Sequence, residues 1–391
     1  MIHVIDRCRC SGCGSCMNIC PVKAIEMRED AEGFIYPEVN TEKCIGCGRC
    51  DKVCPYNDAF HNCPEVNRSF EQVYLAGQLV KKSDLTEVSS GGAFWAFTQA
   101  VLDMGGVVYG AVQKDVDNVF HIRADNIEEA KKIRRSKYLP SRIGECYRLV
   151  KEDLQKGKTV LFGGTGCQIA GLNGYLGKEY PSLFTCDVVC HGVPSLKAWR
   201  SYREEHESKK NKKIAGLVFR DKTAGWSKNQ YKITYSDGSV SYERSTEQTF
   251  HAGYLQGLFY RPSCGQCPFA SEPRVSDVTL ADYWQYKGKF HDGSADIGVS
   301  LIVVNNPKGR ALVDNATKYI DIEPTTREQA HNSCKHLDEH PTENPDRQAF
   351  IDMMLVKGFH ATADQYVHYA VKQGLVKRIY HRFKKLYKGS K

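Results

Sequence analysis

The chain has 391 residues, 41% of them hydrophobic, with 54 lysines and arginines against 46 aspartates and glutamates, a net charge of +8. That length exceeds one ordinary core and predicts two or three domains. The charge surplus lies wholly in residues 372–391, which hold eight basic side chains and no acid, so the preceding 371 residues balance and a general nucleic-acid footprint is excluded.

The start, Met1 to Arg7, has no apolar stretch of signal-peptide length, and no run approaches the ~18 residues of a membrane helix. A cytoplasmic protein that does not span a membrane is therefore expected. In that setting most of the seventeen cysteines read as reduced metal ligands rather than disulfides. Residues 1–60 carry the run Cys10-x2-Cys13-x2-Cys16-x3-Cys20-Pro21 and repeat it as Cys44-x2-Cys47-x2-Cys50-x3-Cys54-Pro55. Three thiolates within seven residues can wrap one side of an iron–sulfur cube, but the local chain cannot reach the fourth iron, so Cys20 and Cys54 should cross over. The spacing predicts one 4Fe-4S cluster on Cys10, Cys13, Cys16 and Cys54 and another on Cys44, Cys47, Cys50 and Cys20. Zinc, the rival, fits a doubled run with a trailing proline poorly. Cys8 and Cys63 fall outside the motif.

Residues 59–68 read as a linker. Strands are then expected at Val73–Ala76 and Val107–Val112 around a helix at Ala93–Met104, followed by a helix near Gly144–Gln155 and a buried strand Thr159–Phe162 running into a glycine turn, Gly163 to Gly166. Further on come a helix capped by Ser195, a hairpin about Asp237-Gly238, a strand at Ser300–Val304, a helix at Gly309–Tyr319 and a short strand at Ile320–Ile322. In the tail, Val367, Val371, Leu375, Ile379 and Phe383 recur every four residues on a basic helix. Its apolar stripe could pack on the core, dock an acidic ferredoxin, or give peripheral contact with an anionic membrane.

Several segments carry chemistry with an ordinary alternative. Ser89-Ser90-Gly91-Gly92 precedes a helix, where it could bind a flavin pyrophosphate or serve as a plain cap. Arg134-Arg135-Ser136-Lys137-Tyr138 could clamp phosphates or end a helix. Cys167, Cys190, Cys264 and Cys267 could form a third metal site, with Cys186 as a substitute ligand and Cys146 and Cys334 as core thiols; zinc would satisfy that set too. His191 could donate a proton or hold a loop. Arg220, Lys222 and Trp226, with Asp221, could hold an anionic substrate or close a strand end, and Arg274 and Asp282 are either site residues or buried ion-pair members.

The stretches Ser89 to Gly92, Ser136-Lys137-Tyr138, Gly164-Thr165-Gly166-Cys167-Gln168, Cys190-His191-Gly192-Val193-Pro194-Ser195, Phe219-Arg220-Asp221-Lys222, Ser263-Cys264-x2-Cys267 and Asp277-x4-Asp282-Tyr283-Trp284 occur in the order seen in the coenzyme F420 hydrogenase/dehydrogenase beta-subunit family, which the chain resembles over residues 72–330. It is similar to the bacterial branch with a fused two-cluster ferredoxin head. Two departures are Gly166, where the family usually has proline, and Ala281, where it often has glycine. The resemblance implies a multidomain α+β and α/β protein: a ferredoxin-like dicluster domain at 1–60, a linker at 61–71, α/β flavin-binding domains at 72–157 and 158–330, and a helical basic tail at 331–391. It implies a third 4Fe-4S cluster on Cys167, Cys190, Cys264 and Cys267. FAD contacts would come from Ser89, Ser90, Gly91, Gly92, Arg135, Ser136, Lys137, Tyr138 and Thr165. Electrons would pass from a ferredoxin or another low-potential donor through the clusters to FAD and on to a small organic substrate, a sugar nucleotide by resemblance. A noncatalytic relay subunit and an oxidoreductase of F420 itself are the alternatives.

Overall fold

The computed structural model describes residues 6–57, 70–244, 248–290 and 296–368. Most of the expected linker, Cys63, and the tail positions Val371, Leu375, Ile379 and Phe383 lie outside them. The first described member of the tail stripe, Val367, is buried in the core.

The amino-terminal head is two short loops around one hairpin. Gly14 (φ +77) turns the chain into α1 (Ser15–Ile19), and Gly48 (φ +67) does the same for α2 (Arg49–Lys52); only glycine takes this left-handed conformation cheaply. Between them β1 (Ile25–Glu29) and β2 (Ile35–Val39) pair antiparallel, with Ile25 opposite Val39.

The body begins with β3 (Val73–Leu79), α3 (Ala93–Asp103), β4 (Val107–Gln113), β5 (Val119–Ala124), α4 (Ile127–Lys131) and β6 (Ser141–Arg142). It continues through α5 (Cys146–Gln155), β7 (Val160–Thr165), α6 (Gly166–Leu176), β8 (Leu183–Val188) and α7 (Leu196–Lys210). Next come β9 (Ile214–Asp221), β10 (Gln230–Tyr235), β11 (Val240–Arg244) and α8 (Thr249–Leu255). The last elements are β12 (Val278–Asp282), β13 (Ser300–Val304), α9 (Pro307–Asn315), β14 (Ile320–Pro324), α10 (Arg327–Ser333), α11 (Arg347–Lys357) and α12 (Phe359–Tyr366).

Nine strands form one mixed sheet in the order β14-β3-β13-β12-β8-β7-β4-β5-β6, with the run β12, β8, β7, β4 parallel. The divide expected at 157/158 runs through it, since β4 pairs with β7. Alternation along the strands sends Val108 and Leu161 to one core, with Phe97, Val101 and Leu312 of α3 and α9, and Tyr109 and Phe162 to the other, with Tyr147 and Leu172 of α5 and α6. The antiparallel sheet β11-β10-β9 packs with α7, α8, α11 and α12 around an aromatic core that includes Trp199, Phe250 and Phe359.

Two expectations shift. The run Gly163 to Thr165 is strand rather than turn, and Gly166 opens α6, because a capping box between Thr165 and Gln168 starts the helix there. The helix expected at Gly309–Tyr319 spans Pro307–Asn315, since Asn306 caps it and Pro307 suits its first turn.

Charged and polar contacts seat the head on the body. Arg200 holds Glu29 in a fork at 2.6 and 3.0 Å, Arg347 reaches Glu32 at 2.7 Å, and Arg148 donates to the carbonyls of Met17, Asn18 and Cys20 at 3.2, 2.8 and 3.1 Å.

Candidate metal centres

Within the head, the eight motif cysteines fall into two groups. Cys10, Cys13, Cys16 and Cys54 line an inner hollow of about 180 Å³, and Cys20, Cys44, Cys47 and Cys50 line a smaller outer one of about 20 Å³. The backbone makes both groupings: Gly14 and Gly48 start helices that carry Cys16 and Cys50 inward, and each fourth cysteine arrives from the opposite loop. Amides turn toward the sulfurs, those of Gly12, Ser15, Met17 and Tyr56 toward Cys10, Cys13, Cys16 and Cys54. Ala24 donates to Cys20 at 3.2 Å. Burial first, and neighbouring thiols second, push the inner thiols up in pKa. Such a group carries thiolates only around a cation.

A second convergence lies in the body, past the carboxyl ends of β7 and β8, where open parallel sheets place their sites. Cys167 sits in the first turn of α6, Cys190 follows β8, and Cys264 and Cys267 belong to the short turn after Arg261. Cys190, Cys264 and Cys267 all lie within electrostatic reach of Cys167. Burial foremost pushes Cys264 up to about 12 and Cys267 up to about 11. Again the surroundings donate: Val193 N–H to Cys264 at 3.4 Å, Gly192 N–H to Cys190 at 3.4 Å, and Thr165 Oγ1 lies 3.2 Å from Cys167. Cys13 and Cys10 lie within electrostatic reach of Cys167, so this tetrad adjoins the inner hollow. Cys186 does not join it; it points from β8 into the main hydrophobic core, because alternation along the strand turns it there. Cys146 donates to the His121 carbonyl at 3.3 Å from within the core, and Cys334 packs beside Tyr74 and Leu337.

Among the described residues, the one set of three or more His, Cys, Asp or Glu ligand atoms within 4.8 Å of one another is Glu272, His331 and Asp338. The Glu272 set is an ion-pair network, since Arg327 binds Glu272 at 2.8 Å and both His331 nitrogens face carboxylates.

The serine–glycine segment and the Arg134–Tyr138 segment meet, with Ser89 Oγ 2.9 Å from Ser136 Oγ. Gly92 (φ +84) opens α3, but the cap comes from elsewhere: Ser300 Oγ accepts from Gly91 at 3.0 Å and from Ala93 at 3.4 Å, while Ser90 donates to the Val299 carbonyl at 2.6 Å. Arg135 (φ +74) pairs with Glu87 at 2.7 Å. Lys137 is half-buried and donates to the carbonyls of Ile133 and Arg134 at 2.8 and 2.7 Å; desolvation of its ammonium pushes its pKa down to about 7.

Arg220 is held by Asp282 at 2.8 and 3.3 Å and lies 5.1 Å from the ring centre of Trp284. Trp226 stacks on Trp284 at 4.2 Å and donates to Asp282 at 3.0 Å. Burial opposes the charge on Asp282, but Arg220 holds its carboxyl below the usual carboxylate range. Lys222 is spent on three carbonyls, those of Leu85, Ser90 and Ile297 at 2.8, 2.5 and 2.8 Å, with its pKa pushed down by burial to about 7. His191 meets His336 edge to face at 4.7 Å, and burial holds it neutral with a pKa of about 4. Arg274 pairs with Asp187 at 2.6 Å, both nearly sealed from solvent. Tyr138 accepts from Arg220 at 3.2 Å and packs on Tyr254, whose hydroxyl donates to Gly192 at 3.0 Å beside Cys190. Tyr254 thus bridges the tetrad to the Ser136–Arg220 region. No motif marks it in sequence, nor Arg261, nor Ser300 as a cap.

Two cysteine nests in a small head, docked beside a body with a mixed α/β sheet, define an iron–sulfur electron-transfer protein. Residues 157–328 match the family described as the C terminus of the beta subunit of coenzyme F420 hydrogenase/dehydrogenase, and residues 9–57 match the 4Fe-4S dicluster domain. The chain thus joins a region that matches the C terminus of that beta-subunit family to a 4Fe-4S dicluster domain at its amino end. A solved F420-reducing NiFe hydrogenase complex from Methanosarcina barkeri, studied as a xenon derivative, is similar at TM-score 0.47 and 16% identity, over 72% of this chain and 91% of that one. No curated protein matches the chain. Among the described residues no helix is long and apolar enough to cross a membrane.

Proposed function

We propose that the protein is an iron–sulfur flavoprotein oxidoreductase that carries electrons one at a time from a ferredoxin-type donor toward FAD and a small organic substrate. The observation that carries this reading is the unbroken order of groups: outer nest, inner nest, tetrad, Tyr254, then the meeting of Ser89, Ser136, Tyr138 and Arg220. In this reading the outer nest (Cys20, Cys44, Cys47, Cys50), the inner nest (Cys10, Cys13, Cys16, Cys54) and the tetrad (Cys167, Cys190, Cys264, Cys267) each hold a 4Fe-4S cluster. Flavin supplies the conversion between single electrons and a hydride pair.

The chain's own residues have definite tasks. Amides at Gly192 and Val193 steady the tetrad sulfurs. Ser89, Ser136 and the α3 entry offer hydroxyls and a glycine turn to a pyrophosphate. Tyr138 and Arg220 close the wall facing the tetrad, and Trp284, stacked on Trp226, is 43% exposed. His191, neutral near pH 7, has no imidazolium proton to donate as an acid.

One observation favours a second reading, a relay protein without its own substrate. Arg220 and Lys222, expected to grip an anion, are already occupied by Asp282 and by three carbonyls. Anaerobic purification followed by iron and flavin analysis decides between the larger schemes. About twelve irons and one FAD per chain support three clusters and the flavin step. About eight irons without flavin overturn both and leave a two-cluster relay.

A further inference from the structure

Arg261 is a buried cation with no carboxylate partner among the described residues. Only 3% of it is exposed, yet among the described residues it forms no ion pair. Its guanidinium donates to the carbonyls of Cys10 at 2.8 Å and Ile35 at 2.5 Å and lies 4.5 Å from the centre of the Tyr36 ring, while its buried Nε–H has no partner among the described residues. Gly12 makes room for it: a Cβ there would stand 2.7 Å from Nη2. A full charge taken out of water without compensation is expensive. Backbone carbonyls and a ring face offset part of that cost, and the remaining negative charge has to come from close by.

The inner nest is that source. Arg261 follows Tyr260, which bridges to Pro194, and it opens the turn carrying Cys264, so its main chain belongs to the tetrad and its side chain to the inner nest. Its charge acts on Cys10 and on Cys264 alike, in both cases against the burial that pushes those thiols up. A 4Fe-4S cluster with four thiolates carries about −2 when oxidised and −3 when reduced, so a nearby positive charge favours the reduced form and burial disfavours it.

We infer that Arg261 is the built-in counter-charge of the inner nest and holds its reduction potential above that of the outer nest, so that electrons entering at the surface run inward. The inference rests on both nests holding clusters. The outer nest differs in kind: Cys47 is exposed, Ile45 beside it is 65% exposed, and Arg49 lines it from the solvent side, where water and salt screen its charge. Solvent eases reduction there. Without Arg261, burial would place the inner nest below the outer one, and an electron from a low-potential one-electron donor would stop at the surface. Each transfer moves one electron and no proton. By contrast Arg274, the buried arginine beside Cys267 and Cys190, is neutralised by Asp187, so of these two buried arginines Arg261 is the one without a carboxylate among the described residues.

The test is a redox titration of the full loaded chain, followed by electron paramagnetic resonance, in wild type, Arg261→Lys and Arg261→Gln. The outer signal is identified as the one broadened by a soluble paramagnetic relaxant. In wild type the inner potential should lie above the outer; the reverse order overturns the inference with no variant needed. Arg261→Gln should disfavour reduction of the inner nest at least tenfold, about 59 mV for one electron, and leave the outer signal in place. Arg261→Lys, which keeps the charge, should shift it far less. An unmoved inner potential, an equal shift at both nests, or an equal shift in the lysine and glutamine variants refutes the counter-charge role. The titration needs only the eight head cysteines, so loss of the tetrad cluster or of flavin would sink the larger functional reading without touching this one.

Discussion

Gly171 lies so close to Cys13 that a Cβ on it would stand 2.9 Å from the cysteine sulfur and 3.1 Å from the Tyr147 hydroxyl. This glycine lets α6 press directly on the inner nest, while Cys167, one turn earlier on the same helix, belongs to the tetrad. One rigid helix therefore sets the separation of the two cysteine groups.

Gly171→Val should force them apart. Overpacking of this kind costs about 1–3 kcal/mol, and here it falls on the contact between head and body. The expected outcome is a lower melting temperature together with loss of iron from the inner nest, read by iron analysis against wild type. Full iron content at unchanged stability would show that the contact does not matter.

Cys264→Ser should remove the tetrad alone. The proposed third cluster then disappears with about four irons per chain, while the two head signals persist in low-temperature spectra. An unchanged iron count would remove the tetrad from the list of metal sites.

Asp282→Asn leaves Arg220 buried without its counter-charge. Breaking such a pair from one side typically costs about 3–5 kcal/mol, which chemical denaturation can resolve. The double variant Arg220→Met, Asp282→Leu should cost less than either single change, since no orphan charge remains. Equal and additive losses would mean that the two side chains act independently.

His121 predicts a pH dependence. It is buried between Ser141 Oγ at 2.8 Å and the Gly163 carbonyl at 2.9 Å, and burial holds its pKa down to about 4 from 6.5. Below pH 6.5 the unfolded chain takes up a proton that the folded chain refuses, so stability falls as pH drops from 6.5 toward 4. Between pH 7 and pH 5 the loss from this group is about 2 kcal/mol. His121→Gln should flatten the stability curve over that window; an unaltered slope would place the linkage elsewhere.

Sequence and structure agree where the information is local. Three thiols within seven residues, a glycine before each helical turn and a repeat of the same run lead to the exchange of Cys20 and Cys54, and the structure groups the cysteines that way. The Ser195 cap, the Asp237-Gly238 hairpin and the strand at Ser300–Val304 follow from equally short signals. The glycine run at Gly163 to Gly166 misleads for the opposite reason. Glycines there admit Phe94 and Phe269 against the backbone within a strand and a helix start, and nothing nearby in sequence shows that those rings will arrive.

The amino-acid order by itself determined that this protein holds iron–sulfur clusters at its head, because ligand spacing along a chain is a local property that survives without knowledge of the fold. Only the tertiary structure decided which nest faces solvent, that Cys186 belongs to the core rather than to the tetrad, and that an arginine some 250 positions downstream of Cys10 lies buried against it. Those matters depend on desolvation and on charges brought together from distant segments, and neither exists until the sheet has formed and the head has docked.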